Sequence, residues 1–241
     1  KRKTKKGRLY LIPTFIGDES KKQISILLKN LINDTNYYIV EKEKNARRFI
    51  KYICPEKNQN SIFFYILKKH SESYLNTFLT PCLKGLNIGL MSDAGCPAIA
   101  DPGSIIVKLA HEKKIKVVPI IGPSSILLAM MSSGFNGQNF AFNGYLPINK
   151  NELKIKLKKL ETKSQLENQT QIFIETPYRN TKLFKSMIEI LNPNTELCIA
   201  SNISMENEFI LTCSIKKWKN KKGMDLNKKP AIFLIHKMLS I

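Results

Sequence analysis

Short apolar runs alternate along the chain with stretches in which apolar residues recur every three or four positions. The runs are typical of buried strands and the stretches of amphipathic helices, so their alternation predicts an α/β fold. In the first half the pattern predicts strands over 9–13, 37–41, 62–66, 89–92 and 116–120, with helices over 21–31, 44–52, 73–84 and 104–113.

The second half opens on a predicted helix over 124–133. It continues with predicted strands over 139–143, 171–175, 196–200, 209–212 and 231–236, and with helices over 150–163 and 181–191. Its later strands follow one another through short connections, which favours a mixed sheet over a purely parallel one. At 121–123 a buried strand gives way to a new helix. The pattern therefore predicts two α/β domains, residues 1–121 and 122–241, with a mainly parallel sheet in the first.

The composition is that of a globular protein that can bury a core. Hydrophobic residues make up 43% of the 241 positions, and no apolar run approaches the ~18–20 residues that span a bilayer. The basic start of the chain is followed by an apolar run that is too short for a signal peptide. We therefore expect a cytoplasmic protein with no membrane partner.

The net charge of +20 changes the picture, because 39 Lys and Arg stand against 19 Asp and Glu. A basic surface of this size suggests a polyanion such as RNA. The excess is almost entirely lysine, however, and asparagine and isoleucine are also abundant, as an AT-rich genome would produce. The charge is compatible with an RNA partner. RNA binding and an AT-rich genome explain the lysine excess equally well.

The five cysteines and three histidines are spread along the chain without a C-x-x-C pair or a zinc-like spacing. We expect no metal site and no disulfide framework. The pattern instead favours thiols buried as small apolar side chains in a reducing compartment.

The segment 91–103 carries the clearest candidate site. It follows an apolar strand, runs into a helix and contains Ser92, Asp93, Ala94, Gly95 and Cys96. A loop of small residues at the carboxyl end of a strand is where open α/β sheets bind ligands, because backbone groups can approach the ligand directly. It matches neither the dinucleotide-binding nor the P-loop pattern. A tight turn with a capped helix is the alternative.

A second candidate is the start of the helix predicted at 124–133. Ser124 and Ser125 follow Gly122-Pro123, directly after a predicted strand. Hydroxyl groups at this position cap the helix or donate to a ligand at the strand ends, and capping alone explains them.

Five ordered segments resemble the tetrapyrrole methylase superfamily, and within it the branch that methylates small-subunit ribosomal RNA. They are LYLIPTFIGD (9–18), SDAGCP with DPG (92–103), GPSS (122–125), FNGYLP (142–147) and FIETPYR (173–179). Phe15 and Cys96 depart from the pattern, where the rRNA enzymes tend to have Pro and Thr.

The resemblance implies S-adenosylmethionine (SAM) as the cofactor, bound in a cleft between two lobes of a homodimer. The residues then expected to bind SAM are Ser92, Asp93, Ala94, Gly95, Cys96, Ile99, Ser124, Ser125, Glu175 and Ile203.

The same resemblance implies an acceptor side lined by Phe15, Ile16, Arg47, Arg48, His70 and Arg179. Arg47 is expected to face the cleft and to hold phosphate, whereas an exposed helix face with local ion pairs explains Arg48 slightly better. A solvated loop residue is the alternative for His70, and a local salt bridge with Glu175 is the alternative for Arg179.

The leading hypothesis is a SAM-dependent methyltransferase acting on a ribose 2′-hydroxyl of small-subunit rRNA or the 30S subunit. Methyl transfer from a sulfonium is an in-line displacement, so positioning supplies much of the rate. A hydroxyl also benefits from a base, and Asp93 and Glu41 are the candidates. Methylation of a tetrapyrrole precursor and non-catalytic RNA or ribosome binding remain as alternatives.

Overall fold

The computed structural model of the protein describes residues 5–67, 72–221 and 223–237. The chain divides into two units, Lys1–Ser124 and Ser125–Ile241, and each unit has its own five-stranded sheet. The first sheet is parallel and the second is mixed, which confirms the predicted fold class.

The described part of the first unit contains β1 (Arg8–Ile12), α1 (Ile26–Asp34), β2 (Tyr37–Val40), α2 (Glu43–Ile53), β3 (Phe63–Ile66), α3 (Glu72–Leu75), α4 (Thr80–Leu83), β4 (Ile88–Met91), α5 (Ser104–Glu112) and β5 (Lys116–Pro119). The strands lie in the order β3-β2-β4-β1-β5. All four neighbouring pairs are parallel, so the carboxyl ends of the strands meet at one edge.

Helices cover both faces of this sheet, because alternate residues of each strand point to opposite sides. In β2, Ile39 packs into the cluster that contains the apolar side chains of α5. Tyr38 and Val40 pack into a second cluster, which contains those of α1 and α2. With both faces buried, the strands are continuous apolar runs, which is why the sequence pattern locates them well.

Two predicted helices of the first unit are shorter than their apolar pattern suggests. The prediction over 21–31 divides into a 3₁₀ turn (Glu19–Gln23) and α1, because the Ser25 side chain accepts a hydrogen bond from the Leu28 amide and starts a new helix. The prediction over 73–84 becomes α3, a 3₁₀ segment (Asn76–Leu79) and α4, which has a proline in its first turn.

The described part of the second unit contains α6 (Ser125–Ser133), β6 (Phe140–Tyr145), α7 (Lys150–Glu167), β7 (Thr170–Ile174), α8 (Asn180–Ile190), β8 (Glu196–Ser201), β9 (Phe209–Ser214), α9 (Ile215–Asn220) and β10 (Ala231–His236). The strand order is β6-β7-β10-β8-β9. Only the β6–β7 pair is parallel among these neighbours, and of the three antiparallel pairs only β8–β9 is joined by a short connection.

The main core of the second unit lies between its sheet and helices α7, α8 and α9. Trp218 of α9 is fully buried and donates its indole N–H to the Leu197 carbonyl at 2.9 Å. It contacts Phe184 edge to face, with 5.5 Å between ring centroids. Trp218 therefore anchors a short helix on the sheet.

A buried carboxylate joins α7 to the turn before β8. Glu161 is only 4% exposed, and its carboxylate accepts hydrogen bonds from the Asn192 amide and the Thr195 hydroxyl, both at 2.6 Å, and from Lys158 Nζ at 3.0 Å. Burial alone would raise the pKa of Glu161, but these donors together lower it below its usual value. The charged form is therefore favoured in the folded protein.

We expect Glu161→Gln to lower the free energy of unfolding at pH 7 by about 1–3 kcal/mol, because at least one buried donor loses a charged acceptor. A pKa that is lower in the folded than in the unfolded state stabilises the protein above the unfolded pKa. That contribution is lost as the pH falls through the folded pKa, so variant and wild type should converge in acid. Urea unfolding between pH 3 and 7 measures both effects.

The matched control is Glu167→Gln on the same helix, where an exposed carboxylate lies 3.8 Å from Lys163. We expect a change within about 0.5 kcal/mol, as for other exposed ion pairs. Equal urea midpoints for Glu161→Gln and wild type at pH 7 would refute the stabilising role.

Candidate functional site

The carboxyl edge of the first sheet contains a crevice, because neighbouring strands send their connections to opposite faces. The chain leaves β1 and β2 towards α1 and α2 on one face, and leaves β4 towards α5 on the other. Such a switch point is where open α/β sheets bind ligands. The topology therefore places the candidate loop after β4 at the expected position.

Two backbone hydrogen bonds close the base of this crevice. The Thr14 amide donates to the Gly95 carbonyl at 3.0 Å, and the Gly95 amide donates to the Thr14 carbonyl at 3.2 Å. The Thr14 hydroxyl adds a bond to the Ser92 carbonyl, and the Ser92 hydroxyl donates to the Gly95 carbonyl. Gly95 has a φ of +75°, a conformation that favours glycine.

Asp101 holds the second half of the loop. Its carboxylate accepts hydrogen bonds from the Ala98 amide at 2.9 Å and the Gly103 amide at 2.7 Å. Burial raises the pKa of Asp101, although these two bonds oppose the rise. Ala98 and Ala100 both have positive φ angles, which are costly for alanine and are maintained here by the surrounding bonds.

The loop retains hydrogen-bonding groups for a ligand. Within the described residues, the amides of Ala94 and Cys96 make no hydrogen bond, and Ala94 is exposed. The Cys96 thiol lies 3.4 Å from the Pro123 carbonyl, and burial raises its pKa, so it stays protonated. Ile99 is 52% exposed on the same loop. The loop therefore presents two hydrogen-bond donors and an apolar side chain to a ligand.

Two carboxylates lie at the entrance to the loop. The Asp93 amide donates to Glu41 Oε1 at 3.1 Å, and the Asp93 carboxylate is paired with Lys42 at 2.7 Å. Burial is the main cause of the raised pKa of Glu41, and the negative Asp93 and Asp101 raise it further, while the Asp93 amide opposes them. The structure thus brings both predicted base candidates together.

A pocket of about 360 Å³ opens beside these carboxylates in the first unit. Residues from the loops after β1 and β4, from the 3₁₀ turn and from α2 line it. They are Thr14, Phe15, Lys21, Asn45, Arg48, Phe49, Tyr52, Ser92 and Asp93. Phe15 and Arg48, both predicted for the acceptor side, therefore lie with Asp93 at one pocket.

Arg47 does not line this pocket, and its expected place on the acceptor side stays a prediction. The Arg47 side chain pairs with Glu43 at 2.7 Å, donates to the Gln59 carbonyl and lies over the Phe64 ring. Consecutive residues of a helix point about 100° apart, so only one of two adjacent arginines can face a given side.

The remaining candidates of the first unit, and Ser125 at the start of the second, occupy defined places. Ile16 lies beside the loop, because a Cβ on Gly95 would meet the Ile16 side chain at 3.4 Å. Ser124 and Ser125 lie at the start of α6, the position expected for capping. Gly122 packs so closely on the Pro13 ring that a Cβ would lie 2.1 Å from Pro13 Cγ. His70 lies outside the described residues.

In the second unit, Glu175 and Arg179 form a salt bridge, as the alternative interpretation predicted. Glu175 also accepts a hydrogen bond from the Thr176 amide. Both side chains line a cavity of about 20 Å³, which holds little more than a water molecule. Ile203 is buried in the turn after β8, between two residues with positive φ angles.

The sequence interpretation missed five pocket residues: Thr14, Lys21, Asn45, Phe49 and Tyr52. A signal for three of them was present, because positions 45, 48, 49 and 52 have the i, i+3, i+4, i+7 spacing of one helix face. Lys21 had no such signal, since its 3₁₀ turn reaches the pocket only through the fold.

Among the described residues, no cluster of three His, Cys, Asp or Glu side chains is arranged to hold a metal ion. The same residues include no helix that is both long and apolar enough to cross a membrane.

Comparisons with known proteins agree with the ordered motifs. The family model of the tetrapyrrole (corrin/porphyrin) methylases matches residues 8–218. The ribosomal RNA small subunit methyltransferase I of Buchnera aphidicola subsp. Schizaphis graminum is 33% identical, over 86% of this chain and 69% of its own length. The Vibrio cholerae enzyme of the same name is 28% identical, over 84% of this chain and 67% of its own length.

Among solved structures, the fold resembles a uroporphyrin-III C-methyl transferase from Thermus thermophilus in complex with S-adenyl homocysteine. The TM-score is 0.56 at 13% identity, covering 96% of this chain and 98% of that chain. These matches confirm the resemblance that the five segments indicated.

Proposed function

The chain belongs to the tetrapyrrole methylase family, and from that premise we propose that it methylates a ribose 2′-hydroxyl of small-subunit ribosomal RNA with SAM as methyl donor. The observation that carries the RNA substrate is the similarity to small-subunit rRNA methyltransferases over more than four fifths of this chain. An rRNA substrate implies that the protein acts in the cytoplasm, on free RNA or the 30S subunit.

The loop after β4 supports SAM as the methyl donor. The amides of Ala94 and Cys96 are available as donors, and the exposed Ile99 provides apolar contact. Carboxylate and ribose oxygens are suitable acceptors for such amides. Ser92, Asp93, Gly95, Ser124, Ser125, Glu175 and Ile203 remain the further candidates for this role.

When bound, SAM supplies a methyl group on a positively charged sulfur. The residues of this chain then position a substrate hydroxyl and receive its proton, as the new O–C bond forms and the S–C bond breaks. Asp93 is the proposed proton acceptor, because its carboxylate lines the pocket. Glu41 is the positioning residue, since it holds the Asp93 amide at 3.1 Å.

A homodimer completes the proposal. In the second unit, α6 exposes Leu127 and Met131, which are 52% and 80% exposed, and β6 exposes Phe140 and Tyr145 at 39% and 60%. β6 is an edge strand of its sheet. Large apolar side chains on a helix and an edge strand of one unit are suited to burial against a second copy.

We expect Ala94→Trp to abolish SAM binding while the circular dichroism spectrum stays unchanged, because the new ring would fill the space in front of the free amides. Calorimetric titration with SAM measures the effect. Asn60→Trp, an exposed site in the 3₁₀ turn before β3, is the control and should bind normally. Wild-type affinity in Ala94→Trp would remove this loop from the SAM site.

With labelled SAM, we expect wild-type protein to transfer methyl groups to methyl-deficient 30S subunits or free rRNA and not to uroporphyrinogen. A 2′-O-methyl group blocks alkaline cleavage, so the label should be recovered in alkali-resistant dinucleotides. Asp93→Asn should slow single-turnover transfer about 10²–10⁴-fold, the usual contribution of a general base. Glu41→Gln retains an acceptor for the Asp93 amide, so it should slow methyl transfer less than Asp93→Asn does.

Glu112→Gln, at an exposed carboxylate 3.9 Å from Lys108, is the control for charge removal. Label in uroporphyrinogen alone would overturn the RNA substrate, and RNA binding without SAM binding would support a non-catalytic protein. An unchanged rate in Asp93→Asn would exclude it as the base.

In sedimentation equilibrium at micromolar concentration, we expect a species of twice the 27.6 kDa chain mass. Met131→Glu should shift it towards monomer, because a charge would be buried at the interface. Ile155→Glu on α7, where the side chain is 69% exposed, should not. A wild-type mass of one chain would defeat the dimer.

A further inference from the structure

Three aromatic side chains form one wall of the 360 Å³ pocket in the first unit. Phe49 is buried at its base, Phe15 packs on it with ring centroids 4.8 Å apart, and Tyr52 meets Phe15 edge to face at 5.2 Å. Tyr52 remains 51% exposed despite these contacts. The three rings thus extend from the buried Phe49 to the exposed Tyr52, whose ring is held in place by Phe15.

The charges around this pocket are nearly all paired. Lys21 is 2.5 Å from Asp18, and Asp93 is 2.7 Å from Lys42. Arg48 is exposed and has neither an ion pair nor a hydrogen bond within the described residues. Within the described residues, the Arg48 guanidinium is therefore the cation of this pocket that has no acidic partner, and all its N–H donors are available.

We propose that this pocket holds a single unpaired nucleotide of the substrate RNA, with its base against Tyr52 and its phosphate on Arg48. This inference rests on the proposed function and adds the conformation of the substrate that the site accepts. Aromatic rings stack on the faces of unpaired bases, and arginine binds phosphate through paired donors.

The helix geometry allows both contacts at once. Asn45, Arg48 and Tyr52 lie three and four positions apart on one face of α2, so their side chains reach the same space. Asn45 lines the same pocket, one turn before Arg48, and offers both a donor and an acceptor to a base edge. Stacking tolerates any base, so selectivity for a given base falls to such polar groups.

The dimensions favour an extruded nucleotide over a duplex. A volume of 360 Å³ is near the lower end for ligand pockets, so it suits one nucleotide and is too small for a duplex. A base inside a helix is stacked on its neighbours and cannot enter a pocket of this size, so it has to leave the stack first.

The test measures RNA affinity separately from methyl transfer. Fluorescence anisotropy at several salt concentrations compares a single-stranded RNA oligonucleotide with a duplex of the same sequence. Wild type should prefer the single strand. Tyr52→Ala should weaken single-strand binding about five- to 150-fold, the range of base stacking, while leaving duplex binding unchanged.

Two further variants separate stacking from general loss of structure. Tyr52→Phe keeps the aromatic ring and should retain the preference for single-stranded RNA over the duplex. Arg48→Ala should reduce the slope of log affinity against log salt by about one unit, for one lost phosphate contact. The control is Phe63→Ala, because Phe63 is 57% exposed and lies at the amino end of β3, away from the pocket.

Equal single-strand affinity for Tyr52→Ala, Phe63→Ala and wild type would overturn the nucleotide pocket, whatever the methylation assay gives. The same loss in Tyr52→Ala and Tyr52→Phe would also overturn it, because stacking needs only the ring. Failure of wild type to methylate any RNA would instead overturn the proposed function. The binding assay distinguishes these outcomes because it requires no methyl transfer.

Discussion

The two backbone hydrogen bonds between Thr14 and Gly95 are the constraint on which the first unit's site depends. The connections after β1 and β4 leave the sheet on opposite faces, so their loops would otherwise diverge. The reciprocal bonds join them at the base of the crevice, and the hydroxyls of Thr14 and Ser92 reinforce the joint. Phe15 then packs against α2, and Asp93 follows β4 beside Glu41.

Around this joint, charge is balanced locally although the chain as a whole carries +20. Lys42 neutralises Asp93, and Asp18 neutralises Lys21, which leaves Arg48 as the unpaired cation of the pocket in the described part of the chain. A diffuse positive surface attracts RNA from a distance, but it does not orient a nucleotide. Orientation requires a planar donor group beside a rigid ring, and Arg48 and Tyr52 combine the two.

The second unit stabilises its buried polar groups with hydrogen-bond and ion-pair partners from the protein. Glu161 is held by three donors, and Trp218 fixes α9 to the sheet through both its ring and its N–H group. Glu175 is likewise paired with Arg179. Each of these groups already has a protein partner, so a ligand that binds Glu175 has to compete with the Arg179 ion pair. The amides of Ala94 and Cys96, in contrast, can donate to a ligand without breaking a hydrogen bond within the protein.

The sequence by itself determined the α/β class, the nature of both sheets, the candidate loop after β4 and the family, because apolar strand runs, small-residue loops and ordered motifs are local features. Only the tertiary structure decided which arginine faces the pocket, since adjacent helix residues differ by 100° and packing fixes the rotation of α2. It alone brought Lys21 Nζ to 5.7 Å from the Tyr52 ring centroid and Phe15 into edge-to-face contact with the same ring. Side chains 31 and 37 positions apart meet only when strands and helices pack. The division of the helix predicted at 21–31 depended on the Ser25 cap, a single hydrogen bond that an apolar pattern does not record.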